Sequence, residues 1–233
     1  MFISFEGIDG AGKTTQLRRL GAHLRAAGLG VVETREPGGS PGAEAIRGLL
    51  VEGAPGRWSP ETEILLFTAA RRDHVERTIR PALARGETVL SDRFVDSTRA
   101  YQGMARADLR NLVDRLHAQM IGIEPDLTLI LDADPQTALH RGLDRRIAET
   151  RFEAMGLDFQ IRLRAAYQAL AAELPRCVLI DASGTSDAVA ERIRAACAQE
   201  GLRGGVGKGD TGKGDTGKGG AGKGGARGGG RAG

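Results

Sequence analysis

The stretch FEGIDGAGKTTQ, residues 5–16, constrains this chain more than any other. It follows a short apolar opening rich in β-formers, MFIS. It runs into KTTQLRRLGAHLRAAG, where Leu17, Leu20 and Leu24 recur at helical spacing until Gly28. Strand, glycine-rich turn and helix therefore follow one another within the first 28 residues. Glycines let such a turn take positive φ, so that several backbone N–H groups converge on one anion. The helix behind it points the positive end of its dipole at the same place. Lys13 adds a charge able to reach the β and γ phosphates of a nucleotide, and the Thr14 hydroxyl is a ligand for Mg²⁺.

Gly7, Gly12, Lys13 and Thr14 fit the phosphate-binding pattern G-x-x-x-x-G-K-[ST] in its proper context, with a strand before and a helix after. The whole turn, Gly7, Ile8, Asp9, Gly10, Ala11, Gly12, Lys13, Thr14 and Thr15, is the expected ATP-binding loop. The C-terminal segment supplies a control. Gly207–Lys213, Gly212–Lys218 and Gly217–Lys223 each match the bare G-x-x-x-x-G-K pattern, but glycine follows every lysine and no strand or helix pattern flanks them. The context, and not the pattern, carries the signal.

The remaining chain alternates strand-like and helix-like stretches. Strands are expected at 30–34, 87–93, 125–134 and in RCVLIDA. Helices are expected at 43–52, 60–85, in ADLRNLVDRLHAQMIG, from PQTALHRGL onward, up to about 174, and near 186–199. This order predicts an α/β chain with a mainly parallel sheet of about five strands covered by helices on both faces, the P-loop NTPase fold. Residues 201–233 hold 17 of the 35 glycines and a net charge of +5, against +3 for the whole chain, which leaves residues 1–200 at −2. Such a segment buries too little apolar surface to offset the entropy of ordering, so residues 1–200 are expected to be the domain and 201–233 a disordered tail. The tail lacks aromatic side chains for stacking bases, and only weak, salt-sensitive nucleic-acid contact is expected of it. Cys177 and Cys197 have no metal-binding spacing and are expected to be inert. No leader is evident and no apolar run nears the roughly 20 residues of a membrane helix, so a soluble, cytoplasmic protein with no membrane partner is expected.

Two phosphate-handling classes are set aside. No N-K-x-D guanine reader is present, and no LSGGQ-like signature of a transporter ATPase. Arginines stand instead near expected loop ends: Arg35, Arg47, Arg71, Arg93, and the group Arg141, Arg145, Arg146 and Arg151. Transfer between two nucleotides brings two polyanions together, and the permanently charged, forked guanidinium suits the screening that this requires. FEGIDGAGKTTQ, TREPGG (34–39), LLFTAARRDH (65–74), DRFVDSTRAYQG (92–103) and PDLTLILD (125–132), in that order, resemble the bacterial thymidylate kinases over about residues 1–199.

The resemblance implies transfer of the γ-phosphate of ATP to dTMP with Mg²⁺, and a homodimer. It puts Asp9 beside the sugar 3′-hydroxyl, Thr14 and Asp92 at the metal, and Arg93 on the acceptor phosphate. It makes Phe67 the ring under the base, directs Arg71 at thymine O4, and sets Ser97 and Gln102 near the base edge. It uses Tyr101 to crowd the sugar 2′ position, with Arg35 and Arg47 on the acceptor side and Glu36 near the metal. Gly10 stands where eukaryotic relatives carry a catalytic arginine, so the family pattern moves that role to a mobile lid at about 140–153. Anchoring on LDF (157–159) selects Arg151, although Thr150 replaces the expected acid; anchoring on LDRR selects Arg145. Arg141 is the expected helper.

Overall fold

The structure, a computed structural model, describes residues 1–53, 56–104, 107–143 and 156–201. Five parallel strands form one sheet: β1 Phe2–Glu6, β2 Val31–Arg35, β3 Thr88–Asp92, β4 Leu127–Asp132 and β5 Cys177–Asp181, in the order β2-β3-β1-β4-β5. The central strand β1, FISFE, is buried on both faces, as a near-continuous apolar run in a covered parallel sheet must be. Its side chains alternate. Ile3 and Phe5 join a core built with Leu17, Leu20, Leu129, Leu163 and Ile193, while Phe2 joins a second core with Ile64, Val75, Val89, Phe94 and Val113. The β2 and β5 edges are partly exposed.

The described helices are α1 Lys13–Ala26, α2 Pro41–Val51, α3 Pro60–His74, α4 Arg80–Ala84, α5 Val95–Gly103, α6 Ala107–Leu116, α7 Pro135–Leu143, α8 Gly156–Glu173 and α9 Ser186–Gln199. Local chemistry starts them. Proline opens α2 and α3 where a missing N–H costs nothing, the Ser59 hydroxyl caps α3 through the Thr62 N–H, and Thr185 caps α9 through Ala188. The expected strands lie within a few residues of the observed ones. The helix expected at 60–85 is a continuous helical run, but Val75–Ile79 between α3 and α4 is a π-helical turn; a second, His117–Ile121, follows α6.

One element is absent from the sequence map. Helix α5 buries Val95, Asp96, Thr98, Arg99, Ala100 and Gln102, so its inward face is largely polar and shows no apolar period. Asp96, wholly buried, pairs with Arg99 at 2.9 Å and Arg176 at 2.6 Å, and Glu124 pairs with the same two arginines. Cys177 and Cys197 are free and buried, and burial pushes their thiols up to about 12 and about 11. None of the described helices is long and apolar enough to cross a membrane.

Candidate active site

The site lies where the carboxyl ends of β1, β3 and β4 meet the loop between β1 and α1, the usual place for ligands in an open parallel sheet. The loop is packed too closely for side chains. A Cβ on Gly7 would come 2.6 Å from the Leu131 carbonyl oxygen and one on Gly10 1.9 Å from that of Ala138, and both residues take positive φ. No side chain caps α1, so its first-turn N–H groups are left to an anion. Lys13 folds back over the loop, donating to the carbonyls of Gly7 at 3.1 Å and Ile8 at 2.9 Å, with Asp9 at 3.7 Å. Burial and Arg93 push its ammonium below the usual range, against the pull of Asp9 and Asp92.

Register brings the next groups in. Phe5 on β1 pairs with Asp92 on β3, so the strand end stands beside the loop. The Thr14 hydroxyl donates to the Asp92 carboxylate at 2.5 Å. Arg93 follows at φ 72°, the one described non-glycine residue with positive φ, held by its N–H on the Phe5 carbonyl. Its guanidinium reaches Asp9 at 2.5 Å and Tyr101 at 3.2 Å through Nη2, and Ser97 at 2.9 Å and Tyr167 at 3.1 Å through Nη1. The chain has two tyrosines, and the hydroxyls of both meet this one arginine. Burial alone would raise the Asp9 carboxyl, but Arg93 and Lys13 outweigh it and hold the group at about 2.

A pocket of about 460 Å³ opens beside Asp9 and Arg93, lined also by Glu36, Pro37, Phe67, Arg71, Phe94, Ser97, Thr98, Tyr101 and Gln102. Arg71 is aimed by Glu36 at 2.8 Å and Thr98 at 3.0 Å and lies over the Phe94 ring. Glu36 is itself fixed by His74, which bridges to Thr34. Burial would raise the Glu36 carboxyl, but Arg71 and His74 hold it below the usual range. Gln102 is buried, and its Oε1 has no partner among the described residues.

A second pocket, of about 610 Å³, is lined by Gly10, Ala11, Gly12, Thr15, Gln16, Arg141 and the β5–α9 connection at Ala182, Gly184 and Ser186. Gln16 ties that connection down by donating to the Ser186 carbonyl at 2.9 Å. Asp9 lines the first pocket and its neighbour Gly10 the second, so the two cavities share the loop as a wall.

A thymidylate kinase family model matches residues 5–193. The chain belongs to the thymidylate kinase family. It is 64% identical over 200 residues to the thymidylate kinase of Jannaschia sp. (strain CCS1), covering 85% of this chain and 96% of that one. It is 56% identical over 200 residues to that of Caulobacter vibrioides, covering 85% and 96%. Among solved structures, the crystal structure of thymidylate kinase from Ehrlichia chaffeensis superposes with a TM-score of 0.68 at 33% identity, covering 84% of this chain and 97% of that chain.

On this thymidylate kinase scaffold, Asp9, Glu36, Phe67, Arg71, Arg93, Ser97, Tyr101 and Gln102 are brought to one pocket, and Thr15 and Arg141 to the other. Several of the expected residues are held by partners within the protein. Ser97, expected at the base edge, gives its hydroxyl to Glu6 and accepts from Arg93. Glu36, expected near the metal, is committed to Arg71, and only its N–H reaches the Asp92 carbonyl. Arg35 is exposed and paired with Glu44, while Arg47 donates to the Pro37 carbonyl. Arg145, Arg151 and lid residues 144–153 lie outside the described residues; 140–143 belong to α7. Glu6, His74, Thr98 and Tyr167 were missed. An acid inside an apolar strand was a visible signal for Glu6, whereas nothing near Tyr167 in sequence marks it. Burial and Asp96 push the Glu6 carboxyl up to about 7, against Arg93 and the hydrogen bonds from Ser97 and Phe94.

Proposed function

We propose that the chain catalyses ATP + dTMP → ADP + dTDP by direct in-line transfer of the γ-phosphoryl group, with no covalent enzyme intermediate. The observation that carries this reading is the pair of pockets sharing the wall at Asp9 and Gly10, with Arg93 lining one of them and Lys13 folded over the loop between. In this reading ATP lies along the loop Gly7–Thr15 with Arg141 beside it, and dTMP fills the smaller pocket. Lys13 stabilises charge on the moving group, while Arg93 holds the acceptor phosphate in line. No general base is needed, because a phosphate oxygen is already ionised near neutral pH. Asp9 and Tyr101, joined at 3.1 Å, face the sugar, and Phe67 packs on the base. Arg71 offers only donors, so it suits the thymine carbonyl and opposes the amino group of cytosine.

A hard cation fits the oxygen pair of Thr14 and Asp92. No group of three or more His, Cys, Asp or Glu side chains that could cage a metal occurs among the described residues, which suits Mg²⁺ completing its shell with water and phosphate. Held there, Mg²⁺ would neutralise charge on the β and γ phosphates. Arg151, with Arg145 as the alternative, is the proposed lid arginine, and Arg35 and Arg47 are proposed to lend longer-range positive charge on the acceptor side. The proposed setting is a cytoplasmic homodimer in which residues 1–200 form the catalytic domain and the tail from 201 makes at most weak contact with nucleic acid. ADP release measured across dTMP, dUMP, dCMP, dGMP and thymidine tests the reaction. Strong preference for dTMP is expected, and a preference for thymidine would make the chain a nucleoside kinase instead.

A further inference from the structure

Glu6 is the last residue of β1, fully buried beneath Arg93. Its Oε1 accepts from the Phe94 N–H at 2.8 Å. Its Oε2 accepts from the Ser97 hydroxyl at 2.6 Å and the Tyr167 hydroxyl at 3.1 Å. A hydroxyl has one proton to give, so once Ser97 and Tyr167 have spent theirs on Glu6 their oxygens can only accept. Both lie within reach of Arg93 Nη1, at 2.9 and 3.1 Å. The two oxygens are also 3.2 Å from each other, close enough for one to donate to the other if no carboxylate claimed both protons. The same carboxylate grips the backbone of Phe94, next to Arg93 in the chain, so the strained backbone and the guanidinium are anchored on one group.

We propose that Glu6 is a positioning residue for the acceptor site: by taking the hydroxyl protons of Ser97 and Tyr167 it turns both oxygens toward Arg93 Nη1 and aims the guanidinium at the phosphate of dTMP. This rests on the dTMP-kinase reading above. Neither Glu6 nor Tyr167 lines the nucleoside pocket, so their effect passes through Ser97 and Arg93, which do, and falls first on the phosphate that Arg93 is proposed to hold. Glu6→Gln keeps the shape but puts an amide donor against two hydroxyls, so that at least one of them must reverse.

The test compares dTMP with thymidine, which lacks the phosphate. Full-length parent and Glu6→Gln chains are titrated calorimetrically with dTMP at pH 8, where the Glu6 carboxyl is ionised, and thymidine is measured at the same pH by competition against dTMP turnover. The proposal expects dTMP affinity to fall tenfold or more and thymidine affinity to change less than twofold. Equal losses for both ligands would mean that the whole pocket had shifted, and unchanged dTMP affinity would mean that Arg93 needs no such anchor; either overturns the proposal. If Glu6→Gln fails to fold, Tyr167→Phe carries the same comparison. There, threefold or greater loss for dTMP alone supports the proposal and any other result overturns it. A parent chain that binds neither ligand sinks the substrate reading itself.

Discussion

Arg93 holds a φ of 72°, a conformation that costs a non-glycine residue free energy and persists only where neighbours over-determine it. Here five side chains or backbone groups meet its guanidinium, so rigidity is already built in before substrate arrives. Arg93→Ala and Lys13→Ala should each lower kcat/KM by about a hundredfold or more while circular dichroism stays unchanged; near-normal turnover in either folded variant refutes its role. Glu6 makes a second prediction. Its carboxyl sits at about 7 when buried, against an ordinary 4.5, so the folded chain binds that proton more tightly than the unfolded one. Its contribution to stability is therefore complete below the unfolded value and is lost as pH rises through about 7. Urea unfolding of Glu6→Gln and parent from pH 5 to pH 8 should show the difference moving in the variant's favour, by at most about 3 kcal/mol. A difference that does not move with pH would place the Glu6 proton elsewhere.

At the scale of elements, the strands were legible and one helix was not. FISFE and LTLILD are apolar runs because covered parallel strands have no wet face, and they read as such. Helix α5 escaped because its inward face carries Asp96, Thr98, Arg99 and Gln102, whose partners outside the helix come from 15 to 80 residues away. The site divides in the same way. Loop residues 7–15 and the Asp92–Arg93 strand end announce themselves locally, whereas Glu6 and Tyr167 meet across 161 residues through tertiary topology alone. Two tests belong here. Asp96→Ala removes the wholly buried carboxylate between Arg99 and Arg176 and leaves them to Glu124 and Asp114, so it should cost about 1–3 kcal/mol in urea unfolding. Gly10→Ala places a methyl group on the Ala138 carbonyl, so the loop must move; ATP binding should be lost while the fold survives.

For the whole molecule, the arrangement is one sheet presenting two cavities across one loop, each rich in cations or exposed N–H groups where a phosphate would arrive. Removal of residues 201–233 should leave dTMP turnover within twofold of the parent, since the family match ends at residue 193. The central claim is that donor and acceptor occupy their cavities together. Titrating dTMP into the chain saturated with Mg²⁺ and a non-cleavable ATP analogue tests this most directly. The account predicts one dTMP bound per chain with the analogue retained; displacement of the analogue by dTMP, with the two ligands competing for one site, would contradict it.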